Sequence, residues 1–198
     1  MRILVSAILL ILTVTLPFKQ SGNEIKCNLQ ELAIDAALGD PEAQHNLGVE
    51  FHRGDNIPLD YSKAATMWRQ SSTAGVIESY NNLGHLIYHG RGVKQDYAEG
   101  LRLWRIAAEK GFAESQVHLG QAYSDGNYLK RDYIEAYAWT KTGKHFARQM
   151  EDTNLGKAIE EMADEHLRGL SSKLTEAGRR EAERKAAEYI AKFGRKVR

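Results

Sequence analysis

Apolar residues recur three and four positions apart along most of the chain, which is the spacing of one face of an α-helix. Glycine interrupts this spacing at regular points, and each interruption predicts a helix end. In the middle of the chain, one predicted helix carries Leu83, Leu86 and Ile87 on its apolar face. That helix ends at Gly90, and the next one ends at Gly111. The pattern therefore predicts a unit of helix, loop, helix and turn.

The same unit occurs three times in succession. The Leu-Gly pairs that end at residues 48, 84 and 120 lie 36 positions apart. A fixed period of roughly 20 to 50 residues is typical of stacked helical units, none of which can bury its apolar face alone. Three further landmarks keep the same step, namely Gly39, Gly75 and Gly111; Gly54, Gly90 and Gly126; and Asp60, Asp96 and Asp132.

These landmarks predict how each helix begins and ends. Left-handed glycines close many helices, and we expect this role for the two glycine series. The aspartates precede the second helix of each unit, where an N-cap carboxylate accepts the free backbone amides. Gly48, Gly84 and Gly120 differ because they lie inside a helix, where glycine costs about 1 kcal/mol relative to alanine. Their recurrence predicts close contact with a partner helix that leaves no room for a side chain.

The repeated residues resemble those of a known family. Each copy reads L-G-x-x-[FIY]-x-x-G, followed by a seven-residue link that ends in Asp-Tyr and by a helix with an aromatic residue near its middle. This is similar to the Sel1-like repeat family, whose longer inter-helix loop explains a period above the ~34 residues of tetratricopeptide repeats. The first copy departs from the family at Ile57-Pro58 and the third at Asn127-Tyr128. The third copy also places its aromatic, Trp139, one position early.

The resemblance implies a fold and a general function. The fold would be all-α, a right-handed α-solenoid of helix-turn-helix repeats that are related to tetratricopeptide repeats. Capping helices would close both ends. The function would be a non-catalytic scaffold for protein–protein interaction at the cell envelope, with a peptide or protein partner from a signalling, secretion or polysaccharide system.

The expected organisation has six parts. Apolar residues in helical spacing precede and follow the repeats, and such terminal helices cap repeat arrays. The parts are a signal peptide or N-terminal anchor at 1–22, a half-repeat cap at 28–39, repeats at 40–75, 76–111 and 112–147, and capping helices with a basic tail at 151–198.

The N-terminal segment predicts the location of the protein. Arg2 precedes a mainly apolar run from Ile3 to Leu16, which is shorter than the ~20 residues needed to span a bilayer. This pattern indicates a secretory signal and a periplasmic or secreted protein. An uncleaved N-terminal anchor is the alternative, and it is the only membrane contact that we expect.

Charge and cysteine content narrow the choice of partners. The formal net charge is +1, and the basic residues of the last helix alternate with glutamates and lack interleaved aromatics. This indicates a solvated helix face and no nucleic-acid partner. Cys27 is the only cysteine, so no internal disulfide can form. Pairing of Cys27 with a second chain and an idle thiol both stay open.

Candidate catalytic chemistry is sparse. The sequence lacks the motifs of covalent catalysis, phosphate binding and dinucleotide binding. His85 and His89 have the spacing of metal ligands on a helix, but a zinc site needs a further ligand. We therefore predict no catalytic residue, no metal ligand and no cofactor. The recurrent tryptophans indicate core packing between helices.

Polar and aromatic residues on the first helix of each unit are the candidate binding residues. They lie two positions before, and two and five positions after, the leucine of each Leu-Gly pair, on the side of the helix that we expect to be concave. Such a groove suits a peptide or a protein loop, and its histidines predict binding that depends on pH near 6.5. This predicted binding face consists of His45, Val49, His52, Asn81, His85, Tyr88, Val117, Gln121 and Ser124.

Two other functions stay open at this point. An envelope hydrolase acting on cell-wall material would need a nucleophile beside a base, for which the sequence offers Ser124 near His118. A metal-binding envelope protein would use the His85 and His89 pair.

Overall fold

A computed structural model gives the structure of residues 23–151 and 153–194, with side chains for residues 28–151 and 154–194. The predicted signal peptide or anchor at residues 1–22, the side chain of Cys27 and the last four residues of the basic tail lie outside the described part.

Every regular element in the described residues is an α-helix, as predicted. Most are short, and they follow one another in pairs that match the repeated unit. The helices are α1 (Asn23–Leu38), α2 (Pro41–Arg53), α3 (Tyr61–Thr73), α4 (Ile77–His89), α5 (Tyr97–Glu109), α6 (Ala113–Asp125), α7 (Tyr133–Ala147), α8 (Thr153–Ser171) and α9 (Glu176–Phe193).

Aspartate side chains start the second helix of each pair, which confirms the predicted N-caps. The Asp60 carboxylate accepts a hydrogen bond from the Lys63 amide at 3.0 Å, and Asp96 accepts one from the Glu99 amide at 3.0 Å. Asp132 accepts from two amides at the start of α7. Each bond satisfies a backbone donor that has no partner inside the helix.

Glycines with left-handed backbones end the helices at the predicted positions. Gly54 and Gly126 close α2 and α6 with φ of 69°, and the amide of Gly54 donates to the Glu50 carbonyl. A side chain is strained in this conformation, so glycine is the residue that suits these turns. The remaining predicted glycines, Gly39, Gly75, Gly90 and Gly111, also have positive φ.

The chain divides into two compact units. The first comprises residues up to 86 together with 90–95, and the second comprises 87–89 together with residues from 96 onward. In the first unit, α2 packs against both α1 and α3, with Ile57, Leu86 and Trp68 fully buried. In the second unit, α7 packs against α6, α8 and α9. Its core joins residues of the last repeats, such as Trp139, to Phe193 of the final helix.

Glycines inside the first helices allow the hairpins to close tightly, as predicted. A Cβ atom at Gly48 would lie 2.5 Å from Nε1 of Trp68 on α3. A Cβ atom at Gly120 would overlap Oγ1 of Thr140 on α7 and lie 2.8 Å from the Ala136 carbonyl oxygen. Gly84 is buried as well. These glycines lower the stability of their own helices, but they allow the paired helices to pack closely.

Candidate functional site

The first hairpin holds an aromatic cluster that includes one of the predicted binding residues. The ring of His52 on α2 lies 5.3 Å from that of Tyr61 and 5.4 Å from that of Trp68, both on α3. Burial lowers the pKa of His52, and the positive charges of Arg91 and Arg53 lower it further. A neutral imidazole therefore packs between two aromatic rings, as an apolar side chain would.

The second hairpin repeats this cluster at equivalent positions. The Tyr88 ring lies 4.9 Å from that of Tyr97 and 4.7 Å from that of Trp104. Only 6% of Tyr88 is exposed, and this burial raises the pKa of its hydroxyl. In these two copies, the residue five positions after the leucine of the Leu-Gly pair therefore faces the second helix of its own hairpin.

The third hairpin replaces the aromatic cluster with hydrogen bonds. Ser124 and Thr140 occupy the positions that His52 and Trp68 hold in the first copy, since the aromatic residue has moved to Trp139. His166 of α8 lies between the two hydroxyls, with Nδ1 2.9 Å from Thr140 Oγ1 and Nε2 3.0 Å from Ser124 Oγ. A histidine from outside the repeats thus contacts the third hairpin at the two positions that form ring contacts in the first copy.

The protonation state of His166 is coupled to both hydroxyls. Thr140 donates to the Ala136 carbonyl and Ser124 donates to the Gln121 carbonyl, so both can accept a hydrogen bond from the ring. A neutral imidazole donates from only one nitrogen. Burial lowers the pKa of His166 despite the opposing charge of Asp125. In the neutral state, one hydroxyl therefore turns its proton from the backbone toward the ring.

His45 is also held by an internal network. Its Nδ1 lies 2.8 Å from Ser79 Oγ, which donates to Ser71 Oγ at 2.9 Å. Ser71 in turn donates to the Pro41 carbonyl at 2.7 Å. Since each serine proton is already used, His45 is the donor at Nδ1. Burial lowers the pKa of His45, so this neutral tautomer joins α2 to α4 within the first unit.

The structure modifies the predicted binding face. Asn81, Tyr88 and Val117 are buried, with exposed fractions of 2%, 6% and 0%. These three side chains belong to the core, because the side of the first helix that carries them also contacts neighbouring helices. The other six are half-buried, and they are His45, Val49, His52 and His85 in the first unit and Gln121 and Ser124 in the second.

The lowered pKa values of two of these histidines also change the pH dependence that we expect for partner binding. Burial favours the neutral form of His45 and His52, so their titration shifts below the ordinary value of 6.5.

The candidate catalytic and metal groups form different contacts from those suggested by the sequence. Ser124 faces His166, whereas the His118 ring stacks on that of Trp104 at 4.7 Å. The other nitrogen of His166 meets the Thr140 hydroxyl rather than a carboxylate. Among the described residues, no three histidine, cysteine or acidic side chains form a group that could hold a metal ion.

His166 is the residue of this region that the sequence pattern did not reveal. It lies on the apolar stripe of α8, where its spacing indicates only a core position. The available signal was a pair of small hydroxyl residues, Ser124 and Thr140, at positions that are aromatic in another copy.

Comparison with protein families identifies the architecture. The family model described as Sel1 repeat matches three consecutive segments, residues 41–76, 77–112 and 113–142. The chain belongs to the Sel1 repeat family. Sel1 repeat proteins generally act as scaffolds that bind other proteins.

Two solved structures are similar to this Sel1 repeat protein. A protective antigen present in uropathogenic Escherichia coli strains, which displays a Sel1-like repeat fold, aligns with a TM-score of 0.72 and 28% identity. The alignment covers 87% of this chain but 34% of the antigen. A Sel1 repeat protein from Oxalobacter formigenes aligns with a TM-score of 0.51 and 26% identity, over 68% of this chain and 98% of that one. These matches confirm the all-α repeat fold.

A search of curated proteins finds no significant match.

Proposed function

We propose that this Sel1 repeat protein is a non-catalytic scaffold of the cell envelope that binds a peptide or protein partner. The observation that carries the proposal is the presence of three Sel1 repeats, a module that generally binds proteins. The internal contacts agree with it, since His52 and His166 are held by rings and hydroxyls of the fold rather than aimed at a substrate.

We propose that half-buried residues of the predicted binding face contact the partner, and we consider those of each unit separately. These half-buried residues include Val49 and His85 in the first unit and Gln121 in the second. Their rigid helices hold these side chains in place before a partner arrives. Little conformational entropy is then lost on binding, which favours affinity.

We propose an envelope location from the N-terminal segment. Its apolar run has the length and flanking charge of a secretory signal or anchor. No helix within the described residues is long and apolar enough to cross a membrane.

The contact between Ser124 and His166 is the observation against which the alternative function, an envelope hydrolase, can be judged. A serine nucleophile needs a base that is itself oriented and supported by a third group, commonly a carboxylate. Thr140 occupies that place here, and its neutral hydroxyl does not support a positive charge on the ring as a carboxylate does. We therefore place both residues in the packing of the third hairpin.

Site-specific photocrosslinking in living cells tests the proposal. A photoreactive residue at Val49 or at Gln121 should yield a discrete adduct whose partner mass spectrometry identifies. The matched controls are Gln70 and Arg102, exposed positions on second helices. Adducts from neither binding position, or the same adducts from the controls, would contradict the proposed surface.

A further inference from the structure

A charged cavity lies in the C-terminal part of the second unit, among α7, α8 and α9. Its volume is about 410 Å³, within the range of roughly 300 to 1,000 Å³ that is typical of small-ligand sites. Side chains from all three helices line it.

The lining is strongly cationic. It contains five lysine and arginine side chains and a single carboxylate, that of Asp164. Lys144 forms its ion pair with this aspartate. Two other cations pair with carboxylates that lie outside the lining, Lys141 with Glu183 and Arg148 with Glu160. These pairs fix three cations in place and leave the cavity with an excess of positive charge.

Arg168 and Arg179 are the two remaining cations. Neither forms an ion pair with a carboxylate in the part of the chain that the structure describes, and both residues are exposed. A guanidinium group presents a planar fork of donors that matches the two oxygens of a carboxylate. Arg179 already interacts with the Tyr137 hydroxyl and with the charge of Glu183. Its remaining donors, together with those of Arg168, are the ones that an anionic group can reach.

Apolar atoms form another part of the lining. Leu167 of α8 and Ile190 of α9 are both half-buried there. The ring of Tyr137 is 5% exposed, and its hydroxyl donates to Glu183 at 2.8 Å. A ligand that carries a carboxylate beside an aliphatic side chain would satisfy the arginines and also bury this apolar surface.

We infer that this cavity binds an acidic peptide segment, with a glutamate or aspartate side chain on Arg168 and Arg179 and an adjacent aliphatic side chain on Leu167 and Ile190. The inference rests on the proposed scaffold function and gives the partner a chemical character. A free inorganic anion would gain nothing from the apolar lining. A nucleic acid would need exposed aromatic faces for stacking, whereas the Tyr137 ring is buried and the His145 ring is half-buried.

Fluorescence anisotropy with the full chain tests the inference. The probe is a fluorescein-labelled hexapeptide of sequence Leu-Glu-Glu-Leu-Glu-Glu. The double variant Arg168→Gln/Arg179→Gln should bind it at least about tenfold more weakly, because each bond from a charged donor contributes to affinity. The matched control is Arg180→Gln/Arg184→Gln, which removes the same charge from α9 outside the cavity lining. We expect a change below about twofold for this control.

A second variant is expected to act in the opposite direction. Asp164→Asn removes the carboxylate from the lining and frees Lys144, so the same peptide should bind roughly threefold more tightly. Circular dichroism checks that each variant stays folded. Equal loss of binding in both arginine pairs would show attraction by net charge alone and overturn the inference. Unchanged binding by Asp164→Asn would also overturn it, because the lining charge would then have no influence on the peptide.

Further results of the binding experiment would also show whether the cavity binds an acidic peptide. Absence of peptide binding, or displacement of the peptide by inorganic phosphate at equal concentration, would overturn the inference. Tighter binding of a labelled oligothymidylate would do the same and identify a nucleic-acid site. Crosslinking from Val49 and Gln121 is an independent readout, so the scaffold proposal survives or fails separately from this cavity.

Discussion

Residue 48 is a glycine, and the absence of a Cβ atom there allows Trp68 of α3 to pack closely against α2. The indole Nε1 donates to the His45 carbonyl at 3.1 Å, across the space that a side chain at position 48 would fill. Alanine is the better helix former, so helix propensity and packing oppose each other at this position. The short distance indicates that packing dominates.

Gly48→Ala should therefore destabilise the protein. We expect a loss of about 1 to 3 kcal/mol, the usual cost of overpacking, despite a gain in helix propensity. Gly169→Ala is the matched control, because a Cβ atom there meets nothing within 4 Å, and it should stabilise by up to about 1 kcal/mol. Urea unfolding of both variants provides the comparison. Equal stability of the two variants would contradict the packing account.

The buried histidines predict a loss of stability in mild acid. The pKa of His166 is lowered in the folded protein, so the unfolded chain takes up protons first as the pH falls below 6.5. Stability is therefore greatest above this pH and decreases from 6.5 down to the folded pKa. The melting temperature should fall between pH 7.5 and pH 5, and His166→Gln should reduce that fall.

His145→Gln provides the control for this experiment. His145 is half-buried on α7 and contacts Gln149 rather than the Ser124 and Thr140 hydroxyls. We expect His166→Gln to reduce the fall in melting temperature more than His145→Gln does, because only His166 contacts the two hydroxyls. A slope unchanged in His166→Gln would show that His166 does not contribute to the effect.

Among the elements, α9 has a structural role that the repeats alone cannot provide. Because Trp139 is one position early in its repeat, its ring meets α9, lying 4.6 Å from the Tyr189 ring and 5.6 Å from the Phe193 ring. The Glu135 carboxylate accepts bonds from Lys185 and from the Tyr189 hydroxyl, at 2.6 and 2.9 Å. The final helix thus covers the last hairpin, as terminal caps of repeat proteins do.

Phe193→Ala should test this capping role. The Phe193 side chain is 1% exposed, and removing a buried aromatic ring costs about 3 to 5 kcal/mol. Tyr128→Ala is the control, since this residue is 56% exposed and its loss should have a small effect. Thermal unfolding followed by tryptophan fluorescence measures both. Similar melting temperatures for the two variants would argue against a cap.

Helix ends and hairpin pairing could be predicted from the sequence because their signals are local. Asp96 and Gly126 act within one turn of their own position, and the recurring step of 36 residues repeats those signals. The burial of Val117 and the placement of His166 depend instead on how α6, α7 and α8 meet. Spacing along one helix gives the direction of a side chain but does not give the neighbouring helix that covers it.

The basic cavity could not be predicted for the same reason. Lys141 belongs to the third repeat, whereas Arg168 and Arg179 come from two helices that follow the repeats. In the sequence they are ordinary surface charges. Only the packing of α8 and α9 on α7 places them around one cavity.

The whole molecule belongs to the Sel1 repeat family, and we propose that it works by binding a partner. The histidines and hydroxyls described above stabilise hairpins, and the proposed contacts with a partner come from half-buried residues on rigid helices. The alignment with this chain spans 34% of the Escherichia coli antigen, so the partner has to be established on this protein itself.

Isothermal titration calorimetry with the partner identified by crosslinking tests the central claim most directly. The triple variant Val49→Ala/His85→Ala/Gln121→Ala should bind at least about tenfold more weakly than the parent, because a few central residues supply most binding energy. The control variant Lys63→Ala/Arg69→Ala/Arg102→Ala changes exposed residues on α3 and α5 and should bind as the parent does. Parent-like affinity of the triple variant, with its helical circular dichroism spectrum intact, would contradict the account.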